Sequence, residues 1–419
     1  MRPVTEVSAE GAVEAVWRLE AARIVGALTR LVRDVGLAEE LAQDALVLAL
    51  EQWPQTGVPD NPGAWLMTVA RRRAVDRIRR DRRYADRLTE IGHRLETGAE
   101  DAYTTVLDPE RIEDDVLRLM FVACHPVLPE QARVALTLRL VGGLTTGEIA
   151  RAFLVPEATV AQRIVRAKKA LSEADVPFEV PSGADRAARL GSVLAVVYLI
   201  FNEGYAASSG DDWMRADLCR EALRLGRLLA GLVPGEAEAH GLVALMELQA
   251  SRTRARTDDD GAPVPLPEQN RGRWDRLLIR RGLAALLRAR EVQDAPGPYV
   301  LQAAIAATHA AARTAADTDW AGIAALYALL ARTAPSPIVE LNRAVAVGMA
   351  AGPAAGLAVL DAVADDPALR DRHLLPSVRG DLLARLGRDD EARAEFARAA
   401  ERTANAAERR ALLARAAAP

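Results

Sequence analysis

The stretch Thr145–Leu171, TTGEIARAFLVPEATVAQRIVRAKKAL, constrains this 419-residue chain most. Thr145 with Glu148 three residues on is a capping box, which predicts a helix starting there. Ile149, Ala150 and Phe153 give that helix a short apolar face. Val155-Pro156 ends it, because a residue before proline is pushed out of the α region. A second helix follows, with Val160, Ile164, Ala167 and Leu171 at helical spacing and so facing inward. Thr159, Gln162, Arg163, Arg166 and Lys169 fall on its opposite face. Helix, tight turn, helix with such a face suits a DNA major groove, where Gln pairs with adenine, Arg with guanine, and cations with phosphate. The alternative is a solvated helix whose basic C-terminal residues only complement the dipole.

Composition narrows the rest. Half the residues are hydrophobic, 4% are aromatic, and the net charge is −4. Long runs of helical period with Gly and Pro outside them predict an all-α fold of two or three domains. A slightly acidic chain binds a polyanion only through local basic faces. Cys124 and Cys219 stand far apart and read as reduced core thiols. His and Cys spacing suggests no metal site, and no cofactor motif is found. The apolar run Val193–Phe201 is too short to cross a bilayer, and no N-terminal signal core precedes it, so a cytoplasmic protein without membrane contact is expected.

Residues 8–90 read as three helices. The first carries Val13, Val16, Trp17, Ile24, Leu28 and Leu31 as an apolar stripe and is expected to break at Gly36. The second, Leu37–Trp53, places Glu39, Glu40, Gln43 and Asp44 outward. Asn61-Pro62 supplies a cap and a first-turn proline for the third. That helix turns Trp65, Leu66, Val69, Ala70, Val75 and Ile78 inward. Arg71, Arg72, Arg77, Arg79 and Arg80 face outward, continuing to Arg82, Arg83 and Arg87. Nine arginines against three aspartates, Asp76 among them, between positions 71 and 87 make a local positive field suited to phosphate.

AEELAQDALVLAL, then NPGAWLMTVARRRAVDRIRR, resembles the region 2 helices of bacterial extracytoplasmic-function (ECF) sigma factors, and the helix-turn-helix resembles their region 4. The resemblance implies that Glu40, Gln43 and Asp44 dock on RNA polymerase core. It implies that Asn61 and the helix bearing Arg71, Arg72, Asp76, Arg79 and Arg80 read and help melt the −10 promoter element. Thr159, Gln162, Arg163, Arg166 and Lys169 would then bind the −35 element. The chain departs from the group's pattern at Arg72, where Asn is frequent, and at Pro156-Glu157, where a Ser cap is common.

The remaining boundaries follow from composition. Residues 91–110 read as a flexible linker and 111–175 as the second sigma domain. Two further segments, 176–297 and 298–419, form a helical extension that a minimal ECF sigma factor lacks. In its last part Tyr327, Leu360 and Phe396 recur at about the tetratricopeptide period. VVYLIFNEGYAAS and PSPIVELNRAVAVG resemble the subgroup whose extension carries such repeats. These imply regulation in cis through contact between extension and sigma domains, and a surface open to a further protein partner. Glu203, Asp211 and Asp212 read as a capped helix end; no catalytic constellation stands beside them, so no enzyme is expected.

Overall fold

The computed structural model describes residues 9–89, 109–153, 155–207, 213–258, 262–370 and 372–417. Helices dominate, and among the described residues strand pairing is confined to one isolated bridge, Thr257 with Pro263. The linker expected at 91–110 lies almost wholly outside the described residues, as do Asp211, Asp212, Asp259 and Asp260. The chain forms two compact units, Met1–Val196 and Val197–Pro419.

In the first unit, α1 (Ala9–Val32), α2 (Val35–Thr56) and α3 (Pro62–Thr89) pack together. The break between α1 and α2 falls at Arg33 and Asp34, not at Gly36. Asp34 accepts from Leu37 N at 2.7 Å, and this N-cap starts the new helix two residues before the glycine. Arg33 takes a left-handed φ of 55° to make the corner. Trp53 and Leu66 are fully buried between these helices, each contributing about 1.5–3 kcal/mol by leaving water. Trp65 lies edge-on to Trp53, with ring centroids 5.5 Å apart.

The unit continues with α4 (Pro109–Ala123), α5 (Glu130–Leu140), α6 (Thr146–Phe153) and α7 (Glu157–Glu173). α1 packs along α4, and α2 touches α7. Cys124 is buried 3.3 Å from the Thr137 hydroxyl, and burial pushes both cysteine thiols up to about 12, as core thiols require. The long α8 (Gly183–Tyr205) follows. Its Ser192 donates to Cys124 O at 2.7 Å and accepts from Arg133 at 2.6 Å. The apolar run that looked too short sits in a stretch, Asp185–Tyr205, that is long and apolar enough to cross a membrane by length and composition. Its Val193, Val196, Val197, Ile200 and Phe201 are nevertheless buried in the protein.

The second unit begins with the end of α8 and adds α9 (Ala216–Leu232), α10 (Ala237–Ala250) and α11 (Arg276–Val292). α10 is buried nearly all round. Between α10 and α11 the chain carries three short 3₁₀ turns, Thr253–Ala255, Leu266–Glu268 and Arg271–Arg273. Next come α12 (Pro298–Ala311), α13 (Trp320–Thr333), α14 (Pro337–Ala351) and α15 (Pro353–Asp361). The chain closes with α16 (Pro367–Arg370), α17 (Leu374–Arg385), α18 (Asp389–Arg402) and α19 (Ala406–Ala416). Sequential neighbours pack, α13 on α14, α14 on α15 and α17 on α18. Leu360 and Phe396 are buried between them, whereas Tyr327 is half-buried.

Candidate nucleic-acid interface

α7 sorts its side chains as its period requires. Val160, Ile164, Ala167 and Leu171 are buried; Gln162, Arg166 and Lys169 are exposed, and Thr159 and Arg163 half-buried. α6 is started by the expected reciprocal cap. Thr145 N donates to Glu148 at 2.8 Å, and Glu148 N donates to the Thr145 hydroxyl at 3.1 Å. Pro156 then fixes the entry to α7. Lys169 reaches Glu173 at 3.5 Å, one turn on, with both side chains largely in solvent, so that pair holds it weakly.

On α3, Asn61 caps the first turn, accepting from Ala64 N at 3.1 Å. Arg72, Asp76, Arg79 and Arg80 are exposed and Arg71 is half-buried. Among the described residues these four arginines have no carboxylate partner, in contrast to Arg73, paired with Asp44 at 2.8 Å, and Arg77, paired with Asp81 at 3.0 Å. Their charge is therefore available to a phosphate backbone. The side chains of Arg82, Arg83 and Arg87, expected to extend this face, lie outside the described set.

The acidic face of α2 is narrower than its sequence suggests. Glu40 is exposed, Asp44 is exposed but engaged with Arg73, and Gln43 is half-buried and donates to Glu39 at 2.5 Å. Glu39 points inward, 3% exposed, where Arg139 of α5 donates to it at 2.6 Å and Lys168 of α7 pairs with its other oxygen. The expectation that Glu39 faces outward is thus corrected. A buried carboxylate is tolerable only when paired, and two cations from 100 or more residues away pair it. Lys168 thus lies apart from the exposed face of α7 that carries Gln162, Arg166 and Lys169.

Sequence reasoning also missed a second buried acid. Asp115 of α4 is fully buried and accepts from Arg30 at 2.9 Å and Arg118 at 2.8 Å. Burial raises its carboxyl above the usual value, with both arginines opposing that shift. Arg18 of α1 pairs with Glu148. The helix-turn-helix is thus held to α1 and α2 by charge as well as by apolar packing. Helical period could have suggested an inward Asp115 beside Val116 and Leu119, but not its partner Arg30.

Three helices with a free basic face, joined to a four-helix segment ending in a helix-turn-helix with an exposed second helix, define a two-part DNA-binding transcription factor. Residues 17–84 match the family described as Sigma-70 region 2, residues 118–171 match Sigma-70, region 4, and residues 189–290 match a family of unknown function, DUF6596. The ECF RNA polymerase sigma factor SigK of Mycobacterium sp. strain KMS is 30% identical over 174 residues, covering 39% of this chain and 82% of that protein. SigK of Mycobacterium ulcerans is 31% identical over 153 residues, 36% of this chain and 78% of its relative. An uncharacterized protein of Rhizobium meliloti is 46% identical over 389 residues, 92% of this chain and 90% of the relative. No solved structure matches. The chain belongs to the ECF RNA polymerase sigma factors: it works with RNA polymerase core at promoter DNA to direct transcription initiation, and its extension carries the DUF6596 match. Sigma factors are non-enzymatic initiation factors.

Proposed function

We propose that the two exposed faces divide the promoter between them. Thr159, Gln162, Arg163, Arg166 and Lys169 on α7 contact the −35 element. Asn61, Arg71, Arg72, Asp76, Arg79 and Arg80 on the α3 side contact and help separate the −10 element. Glu40, Gln43 and Asp44 dock on the polymerase core. The observation that carries this reading is that, among the described residues, Arg71, Arg72, Arg79 and Arg80 have no carboxylate partner, while Arg73 and Arg77 of the same helix pair with Asp44 and Asp81. Cations left unpaired on one helix hold a separated strand by its phosphates with little sequence preference, while α7 supplies base contacts. Transcription in vitro with sigma-free core polymerase on promoter libraries tests it. A charge-removing Arg79→Ala, Arg80→Ala variant is expected to bind a premelted −10 strand more weakly with a shallower salt slope; unchanged binding and slope would reject the assignment.

The extension is required for full activity in this reading and acts in cis, with a stacked helical surface open to a further protein partner. Its large buried core supports a working domain over a passive tail. Truncation should follow Tyr205, since α8 bonds to α4 and α5 through Arg189 and Ser192. Reduced initiation by a truncate that folds by circular dichroism is expected. Full activity would reject the requirement, and increased activity would make the extension an inhibitor.

A further inference from the structure

Three arginines of the second unit lie close together, and among the described residues no carboxylate is paired to any of them. Arg256 is buried, 3.5 Å over the Tyr205 ring, and donates to Tyr205 O at the end of α8. Arg271 donates to His309 O, to Ala312 O at 3.0 Å and to the Thr318 hydroxyl at 3.0 Å, closing the end of α12. These two cap helices. Arg252 caps nothing. Its guanidinium lies 5.8 Å from the Tyr205 ring and 5.9 Å from the Trp274 ring, with no hydrogen bond or ion pair among the described residues. Asp317 caps the turn at Thr314 and acts on Arg271 only from a distance.

The neighbouring buried groups are short of the same thing. Among the described residues Trp274 Nε1, Arg271 Nε and His309 Nδ1 are buried without a hydrogen-bond partner, and Trp274 and His309 are themselves more than nine-tenths buried. The indole and guanidinium nitrogens only donate, so what is missing is an acceptor. Three guanidinium groups held close together, one buried and two half-buried, favour an anion as that acceptor. Tyr198, Tyr205 and Tyr327 near these groups are half-buried, so the cluster is not sealed from solvent. A cation seated between two aromatic rings is a composition that small-molecule sites use.

We propose that Arg252, with Arg271 and the Trp274 indole, binds the oxyanion group of a small organic ligand whose body packs toward the half-buried Tyr327. This inference does not rest on the promoter assignments above. The test uses the full-length protein with phenyl phosphate, benzoate and inorganic phosphate, at ionic strength matched with sodium chloride, read by tryptophan fluorescence and thermal shift. Saturable binding of a phenyl probe is expected, at least about tenfold tighter than inorganic phosphate, and the stronger of the two phenyl probes assigns phosphate or carboxylate as the group. Arg252→Gln should weaken it about tenfold or more, because a charge-assisted contact is lost. Arg288→Gln, an exposed arginine of α11, should leave it unchanged. If Arg252→Gln does not fold, Trp274→Phe, which removes the indole N–H together with part of the ring, should weaken binding in its place, read by thermal shift. No saturable response to any probe at about 20 mM, near the weakest affinities of a built site, or a response that survives these substitutions, would overturn the proposal.

Discussion

Replacing Glu39 by Gln should loosen the helix-turn-helix from α2. The substitution keeps the side chain's shape and removes its charge. It leaves Arg139 and Lys168, whose side chains are 17% and 22% exposed, facing each other without a counter-ion. Breaking a fully buried pair costs about 3–5 kcal/mol, mostly through the charge left behind. Both cations here retain some access to water, and Arg139 keeps a 3.1 Å bond to Leu144 O. The expected loss is therefore smaller, about 2 kcal/mol. Hydrogen–deuterium exchange of peptides spanning α2, α5 and α7 measures it locally, where a global melt of a two-unit chain would mix transitions. Glu39→Gln should raise exchange in all three. Adding Lys168→Met, which lowers the surplus positive charge, should restore at least half of the protection. A Glu39→Gln variant with wild-type exchange, or a double variant worse than the single by the sum of both effects, would refute the idea that this carboxylate clamps the two cations.

Other substitutions separate the remaining roles. Arg163→Ala and Arg166→Ala should each cost about 1–3 kcal/mol of promoter binding with a changed preference at one −35 position if the contact is to a base edge; a uniform loss across sequences with a shallower salt slope would mark a phosphate contact instead. Burial first, then the charges of Arg252 and Arg271, lowers His309 to about 4. Its folded pKa lies below the unfolded value near 6.5, so the unfolded chain takes up the proton first. Stability should fall as pH drops from about 6.5 toward 4, by about 3 kcal/mol across that window, and urea titrations of His309→Gln should show a flatter acid limb. Gly143 has φ 70°, and a Cβ there would sit 3.2 Å from Ala21 Cβ and 3.3 Å from Arg18 Cα. Gly143→Ala should destabilise the first unit by about 1–2 kcal/mol in circular-dichroism melts, since both the backbone and the α1 contact are strained.

Much of the geometry of α3 and of the helix-turn-helix was legible in the chain because it depends on neighbours three or four residues apart. The Thr145–Glu148 box, the Asn61 cap and the buried stripe of α7 all formed where their spacing placed them. Helical period and side-chain capping are local, and tertiary packing only reinforced them. The family resemblance was carried by the same segments. Where a charged residue goes on the margin of a stripe is different. Glu39 borders Leu41 and Ala42 and reads as outward by polarity; Arg139 and Lys168, remote in sequence, made the inward position tolerable. The break at Asp34 displaced the one expected at Gly36, because a side-chain acceptor for an orphan N–H outweighed glycine's conformational freedom. Asp115 and the arginines around Trp274 follow the same rule. A buried charge is fixed by the partners that surround it, or by the partner it still lacks, and only the folded chain brings those together.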